Sequence, residues 1–107
     1  MRGDKLKGHL DLLLLAAIRR GCGHGYAIAE EIRRRSGRAI HLPEGTIYPA
    51  LHRLEAASLV RSRWTRGGAR RRRVYALTAK GKAALSRERE EWTAFTEAVA
   101  GVVGART

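Results

Sequence analysis

The residues best equipped for chemistry in this chain are arginines. Between Val60 and Arg73 stand Arg61, Arg63, Arg66 and the run Arg70, Arg71, Arg72 and Arg73, with no acid among them and the pair Gly67–Gly68 inside the cluster. A guanidinium is always charged and presents its donors in a planar fork that matches a phosphate. A second group, Thr46, Tyr48, Pro49, His52 and Arg53, is polar, aromatic and basic within eight positions. An arginine in such a series can bond guanine through two donors at once. The chain as a whole carries +12 over 107 residues, with a pI of about 11.4. That balance calls for a polyanionic partner, with nucleic acid first and an anionic membrane surface second. The positive charge is concentrated: from Ala84 onward three arginines face four glutamates, so that part is built for something else.

Other chemistry finds little support. His9, His24, His41 and His52 include no pair at the i, i+4 spacing of a helical metal motif. The single cysteine, Cys22, cannot build a thiolate site or an internal disulfide, and Cys22-Gly-His24 is a weak metal signal. A redox role would require Cys22 to be exposed with a lowered pKa, or to meet a cysteine of another subunit. The "GCGHG" stretch lacks the Gly-Lys-Ser/Thr ending of a phosphate loop. The expectation is a protein that is not an enzyme, with no catalytic residues, no metal and no cofactor. The longest apolar run, Leu12 to Ile18, is seven residues, far short of a membrane span, and the N-terminus lacks signal-peptide architecture. The expected compartment is the cytoplasm. Composition, at 44% apolar and 30% charged, is that of one folded soluble domain, small enough that self-association is expected.

The elements that must position these groups can be read from periodicity. Leu6, Leu10, Leu13, Leu14, Ala17 and Ile18 follow helical spacing, and Leu12 and Leu15 make a second apolar side that needs a second neighbour. Gly21 and Gly23 stop that helix. A second is predicted from about Gly25 to Ser36, with Ile28 and Ile32 inward and Arg33, Arg34 and Arg35 near its C-terminal end, where cations complement the helix dipole. A third helix is predicted to start between Glu44 and Thr46, burying Ile47, Ala50, Leu51 and Leu54. Pro49 is then tolerated because first-turn amides lack an acceptor. The opposite side shows Thr46, Tyr48, Pro49, His52 and Arg53, as the second helix of a helix-turn-helix would. "LVRSRWT" and "RRVYALT" alternate with period two around a glycine-bearing turn, a hairpin with arginines at its tip. Thr78 is placed to cap a last helix from about Ala79 to Val103. The fold class is therefore mainly α with a small β-hairpin: a winged helix-turn-helix over 1–78 and a C-terminal dimerisation helix over 79–107, forming one compact unit.

In the last helix, Leu85, Trp92 and Val99 recur every seven residues, and Glu88, Phe95 and Val102 form the neighbouring row. The predicted homodimer joins Leu12 and Leu15 of the first helix to Leu85, Trp92, Phe95 and Val99 of the last. Trp92 has two uses: it can anchor a closed seam, or two such indoles can sandwich a small hydrophobic or aromatic ligand, flat and apolar or cationic, beside Leu15 and Phe95.

Four segments, "LKGHLDLLLLAAI", "HGYAIAEEI", "LPEGTIYPALHRLEAASLV" and "RRRVYALTAKGKAAL", cover most of the chain and resemble the PadR family of bacterial transcriptional regulators. "GTIYPALHRLE" together with "VYALTAKG" is the specific part. The resemblance implies a winged-helix DNA-binding domain, a single C-terminal dimerisation helix as in the short members, and a dimeric repressor on a pseudo-palindromic operator. By matched position it assigns DNA reading to Thr46, Tyr48, Pro49, His52 and Arg53, with His52 and Arg53 at base edges and the Tyr48 hydroxyl on a phosphate. Tyr48 and Tyr26 have the alternative of serving as core rings. In the family the wing commonly carries acids. Here Arg66, Gly67, Gly68, Arg70 and Arg71 make it almost pure arginine, which implies backbone contacts of lower sequence selectivity. The competing function is a winged-helix module that binds RNA or protein without reading duplex sequence.

Overall fold

A computed structural model describes residues 8–21, 23–65 and 71–105; the expectations placed on Leu6, Cys22, Arg66, Gly67, Gly68 and Arg70 lie outside them. The element order is α1 (Leu10–Arg19), α2 (Gly25–Arg35), α3 (Glu44–Ala56), β1 (Val60–Trp64), β2 (Arg73–Leu77) and α4 (Ala79–Val103). This is a mainly helical winged helix with one two-stranded antiparallel hairpin. One core serves all six elements, and its largest fully buried side chains are Leu14, Leu15, Ile28, Leu51, Leu54, Leu85 and Val60.

Each start and stop has a local cause. The His24 ring caps α2 by accepting the Ala27 N–H at 3.2 Å, as a polar side chain at that position should. At the C-terminal end of α2, Arg34 and Arg35 both donate to Glu31, holding its carboxyl below the usual range, with the Arg35 bond the larger cause. Two members of the arginine triplet are thus engaged along their own helix. Pro43 precedes the first residue of α3 and is extended, as a helix entry requires. Pro49 is then the sixth helical residue, beyond the first turn, so it does withhold an N–H from a carbonyl, that of Gly45 four residues back. Gly45 is exposed, and water can serve that carbonyl instead.

The hairpin register pairs Val60 with Leu77, Ser62 with Tyr75 and Trp64 with Arg73. These pairs share one face, which begins in the core at Val60 and Leu77 and ends in solvent at Trp64. The Tyr75 N–H donates to the Gly23 carbonyl at 2.7 Å, fixing the base of the wing to the loop before α2.

The "LTAKG" stretch makes the next junction. Thr78 Oγ1 accepts the Gly81 N–H at 3.0 Å and donates to the Ser58 carbonyl at 2.6 Å. A Cβ on Gly81 would stand 1.9 Å from the Leu59 carbonyl oxygen, so only glycine lets α4 start this close to the end of α3. Gly81, Ala84 and Leu85 are buried, and among the described residues no side chain of α4 beyond Leu85 is buried. Helix α4 runs 25 residues, about 37 Å at ~1.5 Å per residue, and gives the chain its 51 Å long axis.

Two interface assignments need correction. Leu15 is 0% exposed and Leu85 is 2% exposed inside the single chain. Neither offers surface to a second copy or to a ligand. Helix α1 packs against α4 of the same chain, and Leu15 and Leu85 both belong to its one core.

Candidate nucleic-acid interface

Burial of Ile47, Ala50, Leu51 and Leu54 turns Gly45, Pro49, His52 and Ala56 outward, a run spaced four, three and four along α3. His52 and Pro49 therefore stand on the outermost line. Thr46 is half-buried on the flank. Tyr48 and Arg53 leave that line in opposite directions and meet different neighbours.

Tyr48 leans toward α2. A Cβ on Gly25 would meet its ring and hydroxyl at 2.7–2.8 Å, so the ring packs closely on the first residue of α2. It is 38% exposed, neither a core ring nor a free one. Tyr26 is 69% exposed and is not a core ring. Arg53 leans toward α1, where its two terminal nitrogens donate to both oxygens of Asp11 at 2.9 and 2.7 Å. This pairing holds the Arg53 pKa above its ordinary value. Nothing in the spacing of the sequence announced it, because the partners are 42 positions apart.

Between α2, α3 and the wing lies an open cleft of about 710 Å³. Its walls include His24, Tyr26, Tyr48, His52, Trp64, Arg71, Arg72 and Arg73, and Glu44 is the acid among its described lining residues. Burial pushes the Tyr75 hydroxyl at the floor upward, so it stays neutral. Trp64, 51% exposed, is flanked by two guanidiniums, Arg71 at 5.0 Å and Arg73 at 5.4 Å from the ring. Cation–π attraction and a bond from Arg73 Nε to Ser62 Oγ at 2.8 Å hold these arginines in place.

The proton count at His24 bears on what this cleft can bind. Its Nδ1 accepts the Ala27 N–H, so in the neutral ring Nε2 carries the proton. Arg72 Nη1 lies 3.2 Å from that Nε2. In that tautomer both groups are donors, and an anionic oxygen that accepts from the two together would satisfy both. His24 and Trp64 were not singled out from the sequence as binding residues, whereas Arg72 was expected there only as one member of the arginine run. A histidine one position before a predicted helix start was the available signal for the first of them.

The second exposed surface is the outer length of α4. Trp92 (40% exposed), Phe95 (57%), Val99 (41%) and Val102 (88%) lie along it. The Trp92 ring meets His9 edge-on at 4.7 Å and Phe95 at 6.1 Å. With Leu12, Glu88 and Glu91 these residues line a groove of about 240 Å³ between α1 and α4. Glu88 Oε2 is buried there without a hydrogen-bond partner among the described residues. Burial, and then the Asp11 charge, push the Glu88 carboxyl up.

Comparison with known proteins agrees with this architecture. The sequence model of the transcriptional regulator PadR-like family matches residues 14–87. A transcriptional regulator of Mycobacterium tuberculosis is 38% identical over 78 residues, covering 73% of this chain and 70% of its own. The structure of a transcriptional regulator from Clostridium thermocellum superposes with a TM-score of 0.82 at 27% identity, covering 94% of this chain and 96% of that one. Bacillus subtilis PadR, solved in complex with operator DNA, superposes with a TM-score of 0.65 at 28% identity, covering 73% of this chain and 44% of the PadR chain.

Proposed function

This chain belongs to the PadR-like family of transcriptional regulators, which are not enzymes, and from that premise we propose that it is a dimeric repressor of a pseudo-palindromic duplex operator. The observation that carries the proposal is the cleft in which the wing arginines, the outward line of α3 and the donor pair of His24 and Arg72 converge. The B. subtilis relative bound to operator DNA supports the same partner. Arg71, Arg72, the His24 ring and the Tyr48 hydroxyl contact phosphates, together with Arg66, Gly67, Gly68 and Arg70. His52, with Thr46 and Pro49 beside it, faces base edges, and Arg53 joins them when Asp11 releases it. Phosphate contacts fix the position and base contacts choose the sequence.

In this proposal residues 1–78 read DNA, and residues 79–107 join two copies through Trp92, Phe95 and Val99, with the half-buried Leu12 of α1 beside them. The exposed apolar stripe of α4 supports this, because a self-complementary seam closes as a two-fold dimer. A small hydrophobic or aromatic ligand entering the groove beside Trp92 would release DNA by altering the spacing of the two α3 helices, provided it favours one spacing over the other. As a regulator on DNA it acts in the cytoplasm; among the described residues no helix is long and apolar enough to cross a membrane.

The test is selection of duplexes from a random pool by the purified protein. Two related half-sites about one helical turn apart are expected. Enrichment of single strands, or binding of any duplex alike, would favour the RNA or protein-binding alternative. Fluorescence titration with planar aromatic cations, repeated on Trp92→Phe because Trp64 also emits, tests the ligand.

A further inference from the structure

The pairing of Arg53 with Asp11 has a consequence that rests on the DNA-binding reading. It is an ion pair of exposed side chains, 57% and 31% accessible, and such pairs add little to folding stability. Helix α3 is already held by Ile47, Ala50, Leu51 and Leu54. The pair nevertheless places a carboxylate beside the reading helix of a chain that carries +12. It also occupies the two terminal nitrogens of Arg53, which are one edge of the fork that could bond a base.

We infer that Asp11 is a specificity-determining residue that competes with DNA for Arg53. The two kinds of DNA contact repay its displacement differently. A phosphate oxygen in a random position replaces one anion with another and returns less than the two short bonds that are lost. A guanine edge, with N7 and O6 side by side, returns both bonds at once. Arg53 therefore leaves Asp11 only where the base sequence supplies that match. The wing differs: Arg71 lies over Trp64, available to any phosphate. Asp11 acts through Arg53 and is a positioning residue.

The experiment compares a duplex selected by the wild-type protein with a scrambled duplex of the same composition. Asp11→Asn keeps the shape and removes the charge. It should bind the scrambled duplex about five-fold more tightly, the effect of freeing one surface ion pair. The ratio of selected to scrambled affinity should fall accordingly. The salt dependence on the scrambled duplex should steepen by about 0.9 per protomer, one added phosphate contact. In an Arg53→Gln background, Asp11→Asn should change nothing. Arg53→Lys, which keeps the charge and loses the fork, should lose preference for the selected duplex and keep its grip on the scrambled one. An unchanged ratio in Asp11→Asn overturns the inference, as does the same gain in the Arg53→Gln background, which would mark a general charge effect. A lowered unfolding temperature with both affinities falling together also overturns it, because Asp11 would then be a strut. If the wild-type protein enriches no duplex, the DNA-binding reading itself fails and takes this inference with it.

Discussion

Two surfaces that the fold leaves open among the described residues differ in kind. The face made by α2, α3 and the wing carries tyrosines, histidines, a tryptophan in contact with two guanidiniums and a paired donor site. The outer length of α4 carries Trp92, Phe95, Val99 and Val102, with acids beside them. Water solvates the first readily. The second is an apolar stripe on a helix that has left its core behind at Leu85. A polar, cationic face asks for an anion, and an apolar stripe asks for apolar surface. The contrast teaches that one small fold can carry two open surfaces of unlike chemistry, joined through the first turns of α4; in the function proposed above the first takes a polyanion and the second a second copy of the chain.

The largest effect should come from breaking the apolar surface. Trp92→Glu with Phe95→Glu places two carboxylates on the stripe, beside Glu88 and Glu91. Light scattering should report monomer, and affinity for a two-half-site duplex should fall by more than 100-fold as the avidity of the dimer is lost. The fold should survive, since neither ring is buried in the chain. A dimer that persists with unchanged DNA affinity would show that the stripe is not the seam.

The junction behaves otherwise. Leu85→Ala, seven positions before Trp92, removes a side chain that is 2% exposed in the core. It should cost about 2–5 kcal/mol of folding stability in urea titration. If it instead dissociated a normally stable protein, Leu85 would belong to the seam after all.

That pair of substitutions also shows where the sequence stopped being informative. A seven-residue recurrence places Leu85, Trp92 and Val99 on one side of a helix but is silent about what covers each. The chain's own core covers the first and leaves the other two open. Leu15 misled for the same reason, because a second apolar side states the need for a neighbour and not its identity. Local chemistry was legible. The Thr78 cap, the start of α3 after Pro43, the wing strands and the span of α4 all follow from signals within a few residues. Contacts between distant positions were not, and the site depends on them: Asp11 with Arg53, His24 with Arg72, and the Tyr48 ring on Gly25.

Glu88 sharpens the comparison at its boundary, where the acid row of α4 meets α1. Its carboxyl is raised by burial and by Asp11. A raised folded pKa means that its contribution to stability is present in full below the ordinary glutamate value and is lost as pH rises through the raised one. Glu88→Gln should therefore stabilise the protein at neutral pH, and the gain should shrink toward zero as the medium is acidified below that ordinary value. Urea midpoints at both ends of the range check the sign. A gain that is independent of pH would mean that the carboxylate is well solvated.

The smallest effects belong to the cationic face, where charge and order can be separated. Arg71 and Trp64 are in contact, at 5.0 Å from guanidinium carbon to ring centre, yet only one of them carries charge. Removing Arg71 as alanine deletes a phosphate contact, so the slope of log affinity against log salt should fall by about 0.9 per protomer, alike for selected and scrambled duplexes. Removing Trp64 as alanine leaves every cation in place, so the slope should not move. What changes is that the arginines lose the ring, which leaves Arg73 on Ser62 and Glu55 but takes from Arg71 the contact that holds it. Arg71 must then be ordered at the moment of binding. An exposed cation–π contact is worth about 0.5–1 kcal/mol, so affinity should drop about two- to five-fold for every duplex. The same loss should show as a slower association or a faster dissociation without any change in the preferred sequence. A reduced salt slope in Trp64→Ala would mean that the ring places the arginines on phosphates they cannot otherwise reach. An altered sequence preference would mean that Trp64 itself touches the bases, and the division between a wing that grips and a helix that reads would have to be redrawn.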